Sequence, residues 1–577
     1  KKPFFAGTYF PKENRYGRIG LIELLNNITK AWIENRDEIL NSADEVTKYL
    51  QQIYSNKGAA VLNENIIDSA FQYFNSRFDT EFGGFGSAPK FPSPHNLMFL
   101  LRYWKRTGNE KALQIVTKTL TAMSNGGICD QIGFGFHRYS TDKQWLVPHL
   151  EKMLYDQAMM IIIYAEAYQV THDTKYKTTA EEVIEYISRD LKSEEGGFFS
   201  AEDADSEGIE GKFYLWTKEE IKTVLDENEA ELFANIYGIT ENGNFTEESS
   251  RTTGSNIPYL KDSLNELSKR YNQRPTDFIA TINSIKKKLF AYREKRIHPF
   301  KDDKILTDWN ALTISALAIA GRIFHNTDYI EMAKKSYQFI FDKFFNKNHI
   351  LLHRYRGKQS DIFGNLDDYA YLIWASIELY QSTFESTYIE KSIKLAEHVI
   401  KHFWDEQYDG FYLTPGYAEK LIVRTKEIYD GALPSGNSVM ALNLFQLARI
   451  TANTKYDYYA DKLFKTFGET ITQSIGSVSY LMISYYYSTG PFHEVIVSAK
   501  NYSDEINNII NELNKAFIPN KIVILNTEHN KLPFEYLANY QTVNDTPLIY
   551  VCKNYECNLP VKTVEEALKQ LEEKIAG

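Results

Sequence analysis

The part of the sequence that most restricts the possible folds is the stretch from residue 62 to residue 487. It reads as a series of helical segments, roughly 15 to 25 residues each, separated by short loops rich in Gly, Pro and Asn. Many segments are apolar on most faces, and such a helix has to be covered on both sides by other helices. The pattern therefore predicts a mainly α domain of about a dozen helices, with apolar inner helices inside amphipathic outer ones.

Polar or proline-containing clusters stand just before predicted helix starts, and neighbouring clusters mostly lie about 55 to 70 residues apart, the length of one helical hairpin with its loops. They occupy residues 92–96, 147–149, 307–310, 365–368 and 434–437. The wider gap between the second and third leaves room for a further hairpin with an acidic loop, and for an insertion at about 218–295. Six stacked hairpins close most naturally into an (α/α)6 barrel, which places the clusters along one rim.

A second repeat places glycine beside an aromatic residue in the loops between helices. It recurs at residues 83–85, 133–136, 196–199 and 409–412. Glycine permits a tight turn at these positions, and the aromatic side chain is expected to fill the core.

The pattern changes at both ends of the chain. Residues 3–10 are predicted to form a strand, followed by one long amphipathic helix over about residues 19–51. After Pro491 the chain is typical of a small α/β segment, with strands at 493–499, 521–526 and 547–552 and helices at 504–515 and 563–574. We therefore divide the chain into residues 1–56, a barrel over 57–489, and an α/β segment over 490–577.

Composition narrows the classes of partner. The net charge is −11 with no basic run, which argues against nucleic acid, because phosphate binding needs a basic surface. No apolar stretch reaches the length of about 18 residues that a membrane span needs. Three cysteines are too few for a secreted disulfide framework, so a reducing cytoplasm is expected. Cys552 and Cys557 could form a disulfide or remain two free thiols. Lys1 is neither an initiator Met nor part of a signal peptide, so it is not expected to be the natural start.

Seven motifs in order carry a resemblance to a known family: KKPFFAGTYFP, FGGFGSAPKFPSP, GGICDQIGFGFHRYSTDKQWLVPHLEKMLYDQA, GGFFSAEDADSEG, DDKILTDWNALTISALA, LDDYAYLI and DGALPSGNSVMA. They resemble thioredoxin-like proteins with a six-hairpin, glycosidase-like (α/α)6 barrel similar to N-acylglucosamine 2-epimerases and cellobiose 2-epimerases. The resemblance implies a sugar-active barrel. It also implies that residues 1–56 are the C-terminal remnant of a thioredoxin-like domain without that domain's cysteine motif, so redox activity is not expected of residues 1–577.

Acid/base chemistry on a sugar needs two titratable groups on opposite sides of the reacting carbon. The candidates for proton transfer are Asp308, Asp367, Asp368, His149 and Asp203. For the first three, the alternative is that the carboxylate only caps a helix N-terminus. His149 follows Pro148 and is predicted in the first turn of a helix, where the helix dipole lowers its pKa and keeps the imidazole neutral.

The acidic loop that contains Asp203 and Asp205 could bind Ca²⁺ or Mg²⁺. It lacks the full spacing of a calcium loop, so a solvated or site-lining loop is favoured, and neither a metal nor a cofactor is predicted. His149, Lys152 and Asp156 would share one helix face, and a Lys–Asp pair there would be structural or would bracket the site.

Substrate contacts are predicted for ten side chains that suit a sugar's faces, hydroxyls or an anionic group: His137, Arg138, Trp145, Glu151, Glu202, Trp309, Asn310, Tyr369, Ser435 and Asn437. For Ser435 the alternative is a helix cap, and for Glu151 a favourable contact with the helix dipole.

The related epimerases use paired rim histidines, whereas LDDYAYLI and LPSGNSVMA carry carboxylate, hydroxyl and amide groups. The predicted function is epimerase-, isomerase- or glycosidase-like chemistry on a small-molecule sugar. One alternative is a thioredoxin-linked redox or adaptor protein whose barrel binds a partner, and another is a barrel that binds carbohydrate without catalysis. The sequence leaves the substrate and the oligomeric state open.

Overall fold

A computed structural model of the chain describes residues 2–8, 10–15, 17–53, 61–63, 65–245, 254–542 and 546–572. Within these residues the chain forms 20 α-helices. They are α1 (Leu21–Glu34), α2 (Arg36–Ile53), α3 (Asn65–Arg77), α4 (Pro94–Thr107), α5 (Glu110–Asn125), α6 (Leu154–Thr171), α7 (Thr174–Tyr186), α8 (Lys218–Val224), α9 (Glu227–Ile236), α10 (Leu264–Arg270), α11 (Pro275–Arg293), α12 (Thr307–Phe324), α13 (Thr327–Lys343), α14 (Leu366–Thr383), α15 (Ser386–Phe403), α16 (Gly436–Thr451), α17 (Thr454–Gln473), α18 (Ser479–Ser488), α19 (Asp504–Lys515) and α20 (Val564–Glu572).

Six of these helices form a closed inner ring. Each packs on the next in the order α4, α6, α12, α14, α16 and α18, and α18 returns to α4. The inner helices are buried along most of their length, as their nearly all-round apolar sequences require. Outer helices α3, α5, α7, α13, α15 and α17 cover the ring. The predicted mainly α fold, an (α/α)6 barrel of six hairpins, is confirmed.

The inner helices all begin at one end of the ring, which we call the rim, and end at the opposite end, which we call the base. Short strands surround these helices: β1 (Tyr139–Ser140), β2 (Pro148–His149), β3 (Lys152–Met153), β4 (Ala201–Glu202), β5 (Asp205–Ser206), β6 (Ile209–Glu210), β7 (Lys301–Asp302), β8 (Ile305–Leu306), β9 (Leu352–Arg356) and β10 (Gln359–Phe363). They pair as β1-β2, β3-β4-β7, β5-β6 and β10-β9-β8.

The insertion between α7 and α12 contains α8 to α11. Its helices enclose a hydrophobic cluster separate from the barrel core, with Trp216, Phe233 and Phe278 fully buried. The chain leaves and re-enters the barrel along paired strands, because Ala201 lies opposite Asp302 and Glu202 opposite Lys301.

The C-terminal segment closes the base of the barrel with a four-stranded sheet in the order β12-β11-β13-β14. Its strands are β11 (His493–Ser498), β12 (Lys521–Asn526), β13 (Leu548–Lys553) and β14 (Glu556–Cys557). Strands β11 and β12 are parallel, and the other pairs are antiparallel. Gln381 on α14 both donates to and accepts from the Val523 backbone, which fixes the sheet to the barrel. Cys552 and Cys557 form a disulfide.

The N-terminal segment differs from the prediction. Residues 3–8 and 10 are not in a strand, and Tyr9 lies outside the described residues. The single helix predicted over 19–51 is two helices, because the Asn35 backbone leaves the helical conformation at φ −132° and ψ 37°. The predicted boundary at 56/57 and the end of the last predicted helix at 573–574 also lie outside the described residues. Among the described residues, none of the helices combines the length and apolar character that a membrane span needs.

Candidate active site

Four ionisable side chains meet where α12 and α14 begin: Asp308, His353, Asp367 and Asp368, which we call the rim cluster. Asp368 is fully buried at its centre. One carboxylate oxygen of Asp368 accepts the backbone N–H of Asp308 at 3.0 Å, and the other accepts the backbone N–H of Asn365 at 2.7 Å. His353 Nδ1 lies 2.9 and 3.0 Å from these two oxygens. Asp368 is therefore both a cap of α14 and the link between α12, α14 and β9.

Burial and electrostatic interactions shift the pKa values of Asp308, His353 and Asp367 in the rim cluster. Burial, followed by repulsion from Asp368, raises the pKa of Asp308 to about 8 and that of Asp367 to about 7. Burial alone would lower the pKa of His353, but the attraction and hydrogen bond of Asp368, reinforced by Asp308, raise it to about 9. At neutral pH Asp308 therefore holds its proton, and the protonated His353 ring lies within hydrogen-bond distance of Asp368.

Asp367 lies against the start of the next inner helix. A Cβ at Gly436, the first residue of α16, would lie 2.4 Å from Asp367 Oδ1, so only glycine leaves room for this carboxyl group. The Gly436 backbone N–H opposes the rise in the pKa of Asp367. The rim cluster thus spans the starts of three neighbouring inner helices.

In the described part of the chain, one trio of side chains could hold a divalent metal ion, namely Asp308, His353 and Asp368, whose ligand atoms lie within 4.8 Å of one another. Both oxygens of Asp368 are already occupied by N–H donors. The exposed Asp203 is not part of this group, and its carboxylate accepts a hydrogen bond from the Asp205 backbone within its own loop. The arrangement at the rim suits proton transfer.

A cavity of about 360 Å³ opens at the rim beside the starts of α4 and α6. Arg138, Tyr155 and Asp156 line one side, and His95 and Asn96 line another. Asp156 Oδ2, His95 Nδ1 and Asn96 Oδ1 are buried atoms without a hydrogen-bond partner among the described residues. Burial raises the pKa of Asp156 well above its usual value and lowers that of His95 to about 4. The cavity wall therefore presents neutral polar groups that could form hydrogen bonds with a ligand.

Aromatic side chains connect this rim cavity to the rim cluster. The ring of Tyr155 meets Trp309 edge-on, with centroids 4.8 Å apart, and Trp309 is the neighbour of Asp308. The buried phenol of Tyr371 interacts electrostatically with the carboxyl groups of Asp367 and Asp308. It also interacts with that of Asp430, which lines the cavity. Asp430 accepts the backbone N–H groups of Ser435 and Tyr480. Of the predicted substrate contacts, Arg138 lines the cavity and Trp309 lies beside its wall.

Several other predicted contacts have internal partners and face away from the cavity. Trp145 is fully buried and donates its indole N–H to the Phe82 carbonyl at 3.1 Å. His137 is 2% exposed, with Nδ1 3.1 Å from the Leu150 carbonyl. Glu202 accepts the Tyr186 hydroxyl at 2.8 Å, and the Tyr369 hydroxyl accepts the Leu351 backbone N–H at 3.2 Å. These side chains support the barrel.

Two predicted contacts, Asn310 and Asn437, belong to a set of amides that hold the glycine–aromatic loops. Asn310 accepts the backbone N–H of Phe198 at 2.7 Å and donates to its carbonyl at 3.0 Å. Asn437 makes the same two hydrogen bonds with the backbone of Phe411, and Gln157 makes them with the backbone of Phe136. Ser435 caps α16 by accepting the Ser438 N–H. The aromatic repeat is thus pinned to the inner helices through its backbone.

The prediction for His149 is wrong in its structure and charge. His149 lies in strand β2 opposite Tyr139, and helix α6 begins five residues later at Leu154. Its ring nitrogens lie 3.7 Å from Glu151 and 2.8 Å from Glu210, and these two carboxylates raise its pKa to about 9. Glu151 also pairs with Arg138 at 3.1 Å.

Lys152 and Asp156 do not share a helix face either, because Lys152 lies in β3. Lys152 pairs with Asp130 at 2.8 Å, and Arg293 binds the same carboxylate through two hydrogen bonds of 2.9 Å. The predicted Lys–Asp pair is therefore replaced by a buried link between the insertion and a barrel loop.

His353, His95 and Asp430 were not among the predicted site residues, and Asp156 was predicted only as part of a Lys–Asp pair that would be structural or would bracket the site. His353 comes from the hairpin β9-β10, and its pairing with Asp368 joins residues 15 positions apart. The sequence signal that could have indicated His353 is its position in a β-hairpin shortly before LDDYAYLI. His95 stood inside the cluster at 92–96, and Asp430 precedes LPSGN by three residues.

Comparison with known proteins shows the family to which the chain belongs. A family model described as "Protein of unknown function, DUF255" and labelled thioredoxin-like matches residues 1–51. The chain is 31% identical to "Spermatogenesis-associated protein 20" of Rattus norvegicus, over 99% of this chain and 77% of the relative. The human protein of that name is also 31% identical, over 99% of this chain and 78% of its own. The chain belongs to this family. The chain is also 30% identical to an uncharacterised Caenorhabditis elegans protein, over 98% of this chain and 81% of its own.

Among solved structures, the chain is similar to a cellobiose 2-epimerase from Bacillus thermoamylovorans, with 11% identity, a TM-score of 0.45, and coverage of 70% of this chain and 86% of the other. A D-mannose isomerase gives 12% identity, a TM-score of 0.45, and coverage of 70% and 85%. A family 76 mannanase from Bacteroides thetaiotaomicron gives 9% identity, a TM-score of 0.44, and coverage of 74% and 96%. The thioredoxin-like resemblance of the N-terminal motif agrees with the matched family model.

Proposed function

We propose that the rim is the active site of an enzyme that moves protons on a small sugar, as in epimerisation or isomerisation next to a carbonyl group. The observation that carries the proposal is the Asp308 carboxyl group, whose pKa is raised to about 8, beside the contact of His353 Nδ1 with Asp368 at 2.9 Å. Asp308 is partly exposed at the rim, whereas Asp368 is fully buried. A carboxyl group with a pKa of about 8 can give up and recover a proton near neutral pH, which is the property of an efficient general acid or base.

Each member of the rim cluster has a role in this proposal. Asp308 is the proton donor, and Asp367, with a pKa raised to about 7, is the second exchanging group. His353 and Asp368 are positioning residues, because their ion pair fixes the Asp308 backbone through the 3.0 Å hydrogen bond. Both exchanging groups sit at inner-helix starts, so a substrate on the axis of the ring would meet them from two neighbouring helices.

Hydrolysis of a glycosidic bond fits this arrangement less well. Inverting glycosidases hold their carboxyl groups about 6.5 to 9.5 Å apart, and retaining enzymes about 5 to 5.5 Å apart with one group free to attack the sugar. The carboxylate oxygens of Asp308 and Asp368 lie within 4.8 Å, and Asp368 is enclosed with both oxygens hydrogen-bonded. Proton shuttling therefore fits these two groups better than nucleophilic attack.

The rim cavity supports a sugar as the substrate. Its volume of about 360 Å³ lies within the range typical of small-molecule sites. Tyr155 in the cavity wall, packed edge-on against Trp309, offers an aromatic surface for the apolar side of a sugar ring. The unpartnered His95 Nδ1 and Asp156 Oδ2 offer hydrogen bonds to hydroxyl groups. Arg138, half-exposed and paired with Glu151, can bind further oxygens at the cavity mouth.

The test is proton exchange on candidate sugars. The purified chain is incubated in D₂O with a panel of aldohexoses, ketohexoses, their N-acetylamino forms and disaccharides, and NMR follows deuterium entry next to the carbonyl carbon. We expect deuterium incorporation with at least one sugar, and a loss of about 10²- to 10⁴-fold in Asp308→Asn, the range for removal of a general acid or base. Asp203→Asn is the matched control, because this exposed carboxylate lies outside the rim cluster. Exchange that persists in Asp308→Asn, or the absence of exchange with every sugar, would contradict the proposal.

A further inference from the structure

The C-terminal sheet carries a second group of reactive side chains, at the base of the barrel and apart from the rim. On one face of this sheet, three side chains stand in a row across neighbouring strands. Glu494 on β11 lies directly opposite Cys552 on β13, and Cys552 lies directly opposite Cys557 on β14. Residues that oppose each other in antiparallel strands have Cβ atoms only about 4.5 to 5.5 Å apart. A carboxyl group therefore stands beside the disulfide.

Glu494 is buried, and its ion pair with Arg449 is longer than a hydrogen bond. It is 3% exposed, and neither carboxylate oxygen has a hydrogen-bond partner among the described residues. Arg449 Nε lies 3.6 Å from Glu494 Oε1, beyond hydrogen-bond distance. Burial raises the pKa of Glu494 to about 7, although Arg449 and, after it, the backbone groups of Glu494 and Tyr555 oppose the rise. A buried polar group normally finds a partner, so an unpartnered carboxyl group needs an explanation.

A cavity gives access to this group. It measures about 290 Å³ and is lined by Glu494, Cys552 and Arg449 together with Tyr536, Tyr540 and Tyr555. The Tyr540 hydroxyl lies 3.3 Å from Cys557 Sγ and 3.9 Å from Cys552 Sγ. Cys557 is exposed on the edge strand β14, whereas Cys552 is 1% exposed. An incoming thiol would thus meet Cys557 first and would leave the Cys552 sulfur inside the cavity.

Stabilisation of the fold is a weak reason for this disulfide. Its cysteines are only five residues apart in the sequence. The stabilisation that a disulfide gives by restricting the unfolded chain falls as the closed loop becomes shorter. The loop is also already closed by the pairing of β13 with β14.

We propose that Cys552 and Cys557 are a redox-active pair that exchanges with dithiols, and that Glu494 is the group that exchanges a proton with the Cys552 sulfur. A thiolate of the dithiol attacks Cys557 Sγ, a new sulfur–sulfur bond forms, and the bond between Cys552 and Cys557 breaks. The electron pair of the broken bond leaves on Cys552 Sγ, which takes the proton of the Glu494 carboxyl group.

The second thiol of the dithiol completes the reaction. As a thiolate, it attacks the dithiol sulfur bound to Cys557, and Cys557 leaves with the electron pair and is protonated. The dithiol becomes a disulfide and has lost two electrons and two protons. The chain has gained two electrons and two protons, in the form of two cysteine thiols, once Glu494 has recovered its proton from the solvent.

The first experiment measures reduction of the folded, oxidised chain by dithiothreitol, followed by alkylation of thiols and mass spectrometry. We expect Cys552 and Cys557 to become alkylated without denaturant, while the buried Cys129 stays unmodified as an internal control. Oxidised glutathione should restore the disulfide. A disulfide that is reduced only after denaturant unfolds the chain would overturn the proposal and leave a structural bond.

The second experiment tests the order of attack and the proton-exchanging group. Cys552→Ser should form a mixed disulfide between glutathione and Cys557, whereas Cys557→Ser should leave the buried Cys552 unmodified. Glu494→Gln should slow reduction by about 10²-fold, the low end of the effect of a general acid. Asp457→Asn is the matched control, because Asp457 also faces Arg449, at 3.5 Å, but is not in the row with the disulfide.

An unchanged rate in Glu494→Gln, or equal slowing in Asp457→Asn, would overturn the role of Glu494. If Glu494→Gln does not fold, Tyr540→Phe replaces it, because this variant removes the hydroxyl that contacts both sulfurs. It is expected to slow reduction by a few-fold, and an unchanged rate would count against the site.

Discussion

At the base of the barrel, Arg102 and Glu166 form a double hydrogen bond of 2.7 and 2.8 Å, and Arg322 pairs with Glu378 at 2.7 Å. At the rim, no ion pair among the described residues joins Asp156, Asp308 or Asp367 to a lysine or arginine. Both ends take carboxyl groups out of water, but Glu166 and Glu378 at the base each have a guanidinium partner. Paired charges hold helices together, whereas unpaired carboxyl groups keep their protons and remain available for chemistry.

The largest expected effect comes from breaking a pair at the base. Glu166→Leu leaves Arg102 buried without its counter-charge, so the free energy of unfolding should fall by about 3 to 5 kcal/mol. Asp156→Asn at the rim removes a buried carboxyl group that holds its proton, and should change stability little. Denaturant unfolding of both variants measures the contrast.

The double variant Arg102→Met/Glu166→Leu is the control, because removing both charges avoids the unpaired one and should recover most of the loss. Equal losses in Glu166→Leu and Asp156→Asn would mean that the two ends do not differ in the way described.

A smaller expected effect is the loss of stability in a variant of a supporting residue at the rim, compared with a variant of a reactive residue there. Asn437→Ala removes three hydrogen bonds, to the backbone of Phe411 and to the carbonyl of Glu427. Leaving these buried groups unpaired should cost about 2 to 3 kcal/mol in unfolding free energy. Asp308→Asn should abolish exchange without a comparable loss of stability. If Asn437→Ala proved neutral, the amide would have to be assigned a role towards substrate.

The smallest effect is the dependence of stability on pH at the rim. The pKa of Asp308 in the folded chain, about 8, is above that of an unfolded aspartate. The folded state therefore binds more protons than the unfolded state, and this group's contribution to stability is lost as the pH rises towards 8. His353, with a pKa of about 9, acts in the same direction.

The wild type should therefore lose about 1 kcal/mol of unfolding free energy relative to Asp308→Asn between pH 6 and pH 7. The measurement is a pair of denaturation series at the two pH values. A matching difference in Glu166→Leu, which changes only the base, would show that the slope does not come from the rim. Parallel pH dependence in wild type and Asp308→Asn would have the same meaning.

Local sequence patterns predicted the barrel and three of the four residues of the rim cluster, because both depend on residues close together in the chain. Helix periodicity and cluster spacing predicted six hairpins, and Asp308, Asp367 and Asp368 followed from their places at helix starts. His353 was missed because it reaches the rim from a hairpin, through tertiary contact alone. His149 was misplaced because Pro148, which suits a helix start, instead pairs with Ser140 in a strand. The amides Asn310 and Asn437 were assigned to substrate because the loop backbones that they bind were not visible in the sequence.

The paired stems of the insertion have a consequence for how the barrel tolerates change. The chain leaves and returns through neighbouring strands, so the distance that the barrel has to bridge there is the same whatever lies between them. The entropy of closing that connection is set by the stems, and the insertion has a hydrophobic cluster of its own. The junction at Glu202 and Lys301 is therefore a position in the fold where one insertion could be exchanged for another of different length while the ring of inner helices stays intact.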